Sequence, residues 1–211
     1  MDAFQQIDQD FLLRFPGGLH DPEWLALAKK YRVVDKVREL AASLDAATLA
    51  QALDSGRTTT VVDTLDKLIS RCPTVSTFER MAFRHYLAYS DTHLPLIAAL
   101  DGVWRRCEAE TFEQWVSVLE MCRHDKCANP AKWPVVTAFL AYADPDAHVH
   151  IKPTTTRQLA ARLGVDIGYQ SRPNFATYQR VREMVSAFRA SSAVARGQNY
   201  ITTQAVMYCA L

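Results

Sequence analysis

Apolar positions recur every three or four residues along almost the whole chain, and no segment reads convincingly as a strand, so the pattern predicts helices throughout. Asp2 opens a first helix carrying Phe4, Ile7, Phe11, Leu12 and Phe15 on one face, and Pro16, Gly17 and Gly18 stop it. Asp21, Pro22 and Glu23 supply an N-cap, a first-turn proline and an early acid for a long helix extending toward Leu44. A shorter helix ends near Gly56. Thr59 or Thr60 then caps a helix with Val61, Leu65, Leu68 and Ile69 on its apolar side, closed by Pro73. Ser76 and Glu79 have capping-box spacing ahead of the aromatic-rich FERMAFRHYLAY, whose Phe83 and Tyr86 read as core.

Further along, Asp91 or Thr92 begins a helix through Leu94, Ile97, Leu100 and Trp104. Thr111 caps TFEQWVSVLEMCRH, and after a short connection Asn129 and Pro130 cap AKWPVVTAFLAYA. Asp144 and Pro145 break that helix. In HVHIKPTTTRQLAARLG, Pro153 fixes its own φ and holds Lys152 extended, Thr154 or Thr155 caps, and Gly164 terminates. The alternation of His148, Val149, His150 and Ile151 sends both imidazoles to one side of an extended strand-like segment. Residues 165–173 read as a loop, Asn174 caps a helix running to about Ala195, and Thr202 or Thr203 opens a last one. The expectation is an all-α protein of ten or eleven helices. It has no internal repeat, and a seam near residues 106–111 divides an N-terminal lobe (1–110) from a C-terminal lobe (111–211), which can pack as one domain.

Composition narrows this picture. At 211 residues, 49% hydrophobic and 22% charged, the chain has ordinary globular composition. No apolar run approaches the roughly 18 residues that span a bilayer, and MDAFQQIDQDF lacks a signal peptide's basic and apolar segments, so the expected location is cytoplasmic with no membrane partner. Five scattered cysteines read as reduced thiols. The net charge of +1 hides an asymmetry: residues 151–211 carry eight Lys or Arg against two acids, a net of +6, while residues 1–150 carry sixteen against twenty-one, a net of −5. A basic last third suits a phosphate-binding face, provided its cations converge.

The order of elements in residues 111–164 is helix, connection, helix, Asp-Pro break, extended lead-in and short helix ending in Arg162, Leu163 and Gly164. With the pair Thr137 and Ala138, and with Pro153 and Thr154 heading the last helix, residues 111–211 resemble the helix-hairpin-helix DNA glycosylase (HhH-GPD) superfamily. The resemblance implies a two-lobed helical architecture and double-stranded DNA as partner. It also implies specific departures. The family's hairpin glycines have no counterpart in KCANPAKW, so Lys126, Asn129, Lys132 and helix amides would take the phosphate instead. Pro153 or Thr154 stands where the glycosylase carboxylate would be, Val136 stands where bifunctional members carry a nucleophilic lysine, and no iron–sulfur cysteine loop is present. Glycosylase chemistry is therefore expected to be absent or relocated.

The expected DNA contacts are Lys126, Asn129, Lys132, Lys152, Arg157 and Arg162; the two arginines stand five residues and about 140° apart on a helix. Lys152, His148 and His150 are the weak catalytic candidates, the lysine as an amine nucleophile or a phosphate ligand. The two histidines with Asp144 and Asp146, or Cys122, His124 and Cys127, have metal-like spacing but lack a completing ligand, so no metal or cofactor is expected. Neither a nucleophile elbow nor a phosphate-cradling glycine loop occurs. Two alternatives stand beside DNA binding: a non-catalytic helical protein-interaction module, and an enzyme working through the His/Lys cleft.

Overall fold

The computed structural model describes residues 2–31, 33–121 and 128–211, and over these it is all-helical: twelve α-helices, two single 3-10 turns and no strand. The first seven helices are α1 (Ala3–Arg14), α2 (Pro22–Tyr31), α3 (Val33–Ala42), α4 (Ala46–Ser55), α5 (Thr59–Arg71), α6 (Thr77–Leu87) and α7 (His93–Arg105). The remainder are α8 (Ala109–Leu119), α9 (Trp133–Ala143), α10 (Pro153–Leu163), α11 (Phe175–Ser191) and α12 (Tyr200–Cys209). No helix among the described residues is long and apolar enough to cross a membrane.

Local chemistry accounts for most boundaries. The Asp2 carboxylate accepts from Phe4 N, Asp45 from Thr48 N and Asn174 from Thr177 N, while Ser76 and Glu79 close a reciprocal capping box. Several boundaries differ from the sequence reading: the N-cap position of α5 is Thr58 and not Thr59 or Thr60, that of α10 is Lys152 and not Thr154 or Thr155, and α11 ends at Ser191, short of Ala195. The stretch after Asp21 is recorded as α2 and α3 on either side of Arg32, which lies outside the described residues. Helix α8 is capped by Glu108, with Thr111 in the first turn accepting the Glu108 amide, and it ends at Leu119, well before His124. Asn129 is not a helix cap: its Oδ1 accepts Ala131 N at 2.8 Å in a turn, and Lys132 occupies the N-cap position of α9 without a side-chain bond. Helix α9 thus begins at Trp133, later than expected. Asn199, not Thr202 or Thr203, caps α12, because an asparagine side chain one turn earlier reaches Thr202 N at 2.8 Å.

Helix α9 is the centre of the molecule. Every residue from Trp133 to Tyr142 is buried, and a helix apolar on all sides is stable only when neighbours surround it. Those neighbours include α3, α5 and α6. Aromatic side chains fix it further: Phe139 meets the rings of Phe83 and Trp115, each with centroids 5.3 Å away. The indole N–H groups of Trp104 and Trp115 donate to the α9 carbonyls of Phe139 (3.0 Å) and Val136 (3.2 Å). The apolar core is one cluster running from Ile7 to Ala210, and α1 packs on α10, α11 and α12. At that junction Asp8, itself buried, accepts from Ser192 Oγ and Ala193 N, and Asp10 pairs with Arg162.

The middle of α9 also positions the extended segment that follows. The Thr137 hydroxyl donates to Trp133 O at 2.7 Å and accepts the buried Ile151 N–H at 2.9 Å, holding residues 148–152 against the helix. Replacing Thr137 by Val removes that acceptor while keeping the volume. The Thr137→Val protein is expected to be less stable by about 1–3 kcal/mol, the cost of an unsatisfied buried amide, whereas Thr137→Ser loses distinctly less; urea unfolding of the two variants checks this.

Candidate functional site

Helices α9 and α10 begin alike. Each is preceded by a lysine in extended conformation, Lys132 (φ −106°, ψ 148°) and Lys152 (φ −102°, ψ 106°), each has a proline in its first turn, and neither receives a side-chain cap. First-turn amides left without a side-chain acceptor carry the positive end of the helix dipole. Pro134 and Pro153 line the same cavity of about 380 Å³, together with Lys152, Thr74 and Glu79, so the two starts face a shared space. Among the described residues neither lysine forms an ion pair. Lys132 is exposed and Lys152 half-buried.

A second cavity of about 550 Å³ lies along α10, with Thr154, Arg157, Asp166 and Tyr169 in its wall. Arg157 is exposed, its guanidinium carbon 5.2 Å from the Tyr169 ring centroid. The loop carrying Tyr169 is anchored to the start of α9: Trp133 Nε1 donates to Gln170 O at 2.8 Å, and the Trp133 and Tyr169 rings lie 6.4 Å apart. Gly168, at φ +55°, lets Arg180 lie flat on this loop, since a Cβ there would come within 2.2 Å of Arg180 Nη1. Lys152 and Glu79 line the first cavity, Arg157 and Asp166 the second, Thr154 borders both, and Arg180 lies against Gly168; Lys132 lines neither cavity. Arg180 and Tyr169 were not singled out as site residues from sequence, and Glu79 only as a capping-box partner of Ser76. They arrive through tertiary packing, for which a single sequence carries no local signal.

Other candidates are placed elsewhere. Lys126 lies outside the described residues, as do Cys122, His124 and Cys127. Asn129 is exposed, with its side chain turned onto Ala131 N. Arg162 bonds Asp10 and the Ala210 carbonyl, which makes its guanidinium a strut between α10, α1 and the C-terminal end. Arg172 is held by Glu113 (2.9 Å) and Glu120 (2.9 Å), and Arg189 lies 4.0 Å from the Tyr200 ring centroid. Asp144 accepts Asp146 N and Ala147 N in a turn, and no group of three metal-ligating side chains occurs among the described residues.

The two histidines are held by different helices. His148 Nδ1 sits 2.7 Å from the Tyr178 hydroxyl on α11, and burial, opposed by Asp144 and aided by Arg182, pushes its pKa down. His150 is buried beside α9, 3.3 Å from Thr137 Oγ1; burial, reinforced by the Lys152 charge, takes its pKa down to about 3. Burial also pushes the thiols of Cys72 and Cys107 up, to about 12 and about 11, so both are protonated and unreactive at neutral pH. Pro153 and Thr154 border the first cavity, and neither can carry negative charge.

Because both histidines are neutral in the folded chain and ordinary when unfolded, the unfolded state takes up protons first as pH falls. Their contribution is complete above about pH 6.5 and is lost progressively below it, toward about pH 3 for His150. Urea midpoints measured between pH 7 and 5 are expected to fall, and His150→Gln should make that fall shallower by removing one of the two proton uptakes. In comparisons with known proteins, no family model, no curated protein and no solved structure matches this chain.

Proposed function

We propose that this protein binds the phosphate backbone of double-stranded DNA at the corner where α9 and α10 begin, on an HhH-GPD-like two-lobed scaffold. The observation that carries the reading is the cavity lined by Lys152 and the first turn of α10, which no side chain caps, with Pro134 of α9 in the same wall. Free first-turn amides and unpaired ammonium groups are the groups that phosphate oxygens seek. Arg157 and Arg180 extend the positive face along α10 and the adjoining loop, and the resemblance of residues 111–211 to the HhH-GPD superfamily points to the same partner. The reading is of binding: cleaving a sugar–base bond calls for a carboxylate at the turn that Pro153 and Thr154 occupy. The exposed pair Phe78 (84%) and Met81 (52%), one turn apart on α6, favours the second reading, a module that docks another protein.

Fluorescence anisotropy with a labelled duplex separates the two. Affinity is expected to fall linearly on a log–log plot as salt rises from about 50 to about 200 mM, and Lys132→Ala and Lys152→Ala should each reduce the slope by about one. Arg162→Ala should lower stability and leave the slope unchanged. Absence of binding at about 50 mM salt, where phosphate contacts are strong, overturns the reading in favour of the docking module.

A further inference from the structure

The larger cavity, of about 550 Å³, runs along the exposed face of α10 and has the size of a small-molecule site. Its two ends differ in charge. Helix α10 stops at Gly164, where Val165 N bonds Ala160 O at 2.9 Å, and the chain then turns back along the helix until the Tyr169 ring reaches Arg157. Asp166 therefore stands toward the C-terminal end of the cavity and Arg157 toward the N-terminal end. Between them the wall is apolar, built from Ala161, Val165 and Ile167.

Arg157 and Asp166 line one cavity without pairing, and Arg157 forms no ion pair among the described residues. The guanidinium is nonetheless held in place. It lies on the Tyr169 ring, which packs on the Trp133 ring, and Trp133 Nε1 ties down the same loop through Gln170 O. Stacking uses the face of a guanidinium and leaves its in-plane N–H donors for an anion. Thr154 and Gln158, on the same face of α10, add a hydroxyl and an amide at that end. At the other end one oxygen of Asp166 accepts Gly168 N at 2.8 Å, and a carboxylate has lone pairs beyond that bond. The α10 dipole runs the same way, positive toward Arg157 and negative toward Asp166.

We infer that this cavity binds a small zwitterion with its two charges at opposite ends of an apolar middle, the size of a dipeptide of apolar residues. Its carboxylate meets Arg157, with Thr154 and Gln158 donating beside it, and its ammonium meets Asp166. Its apolar side chains lie against Ala161, Val165 and Ile167. A simple anion would bring negative charge up to Asp166, and a simple cation positive charge up to Arg157, whereas a molecule carrying both signs in this order satisfies both ends. The inference does not rest on the DNA-binding reading, because Lys152 and the first turn of α9 line the other cavity.

The test is an amide ¹H–¹⁵N NMR titration of the full chain with leucyl-leucine, with its C-terminal amide and with its N-acetyl form. The dipeptide is expected to shift resonances of α10 and residues 165–169, and each blocked form should bind about fivefold more weakly, the upper worth of one exposed ion pair. Arg157→Ala should bind the dipeptide and its amide equally. Asp166→Asn, which keeps an acceptor for Gly168 N, should bind the dipeptide and its N-acetyl form equally. Both positions are exposed, and such paired losses separate recognition of each charge from a general effect on folding. Shifts centred elsewhere, or none at about 10 mM, where a ligand with a Kd of about 1 mM is largely bound, overturn the inference. Equal binding of all three compounds by the unaltered chain overturns it too, leaving only an apolar contact. Any of these failures leaves DNA binding to be decided by its own salt dependence.

Discussion

Thr137 sits in the middle of a helix that is otherwise aromatic and aliphatic, and its oxygen joins the buried centre of the molecule to the edge where charge collects. By accepting the Ile151 amide it fixes the extended segment after the Asp144 turn, and that segment sets where Lys152 and the start of α10 stand. The same oxygen decides the tautomer of His150. A buried hydroxyl with all its hydrogen-bonding capacity used is rigid, because any rotation that frees one bond leaves a polar group unsatisfied. The corner between α9 and α10 is therefore held by the core and not by surface contacts.

The basic last third of the chain does not form one patch. Arg162, Arg172 and Arg189 serve inside the fold, bracing α10 against α1, the loop before α11 against α8, and α11 against Tyr200. Of the other five, Lys152 and Arg157 line the two neighbouring cavities, Arg180 lies against Gly168, Arg182 acts on His148, and Arg196 is exposed. Division of labour of this kind is ordinary for arginine, whose planar fork suits bidentate pairing with carboxylates and stacking on aromatic rings. Lysine, a compact hydrated charge, stands at both helix starts without an ion-pair partner among the described residues.

Much of the architecture was legible because helix signals are local. Apolar spacing, the caps at Asp2, Ser76 and Asn174, and the glycine stops at Gly56 and Gly164 all act within one turn of the chain. Boundaries were missed where two residues competed for one role. Thr111 has capping chemistry, but Glu108 takes the cap and leaves the threonine to answer it from the first turn. Asn129 precedes a proline as a cap would, yet its side chain closes a turn one residue short of the helix. The candidate site was legible only in part. Lys132 and Lys152 could be picked out near their prolines, whereas the fate of Arg162 depended on Asp10, 152 positions away, and the placement of both histidines on helices that the local sequence does not mention.

The apolar completeness of α9 has a consequence for how the chain comes into being. During synthesis α3, α5 and α6 leave the ribosome well before the rod they enclose, so the early helices wait with an open greasy furrow between them. Only when residues 133–143 emerge can that furrow fill, and only with the later segments does α1 find its place against the last helices. Assembly is thus a late, all-at-once event, and a nascent chain arrested before Trp133 is the form of this protein most exposed to chaperones and to aggregation.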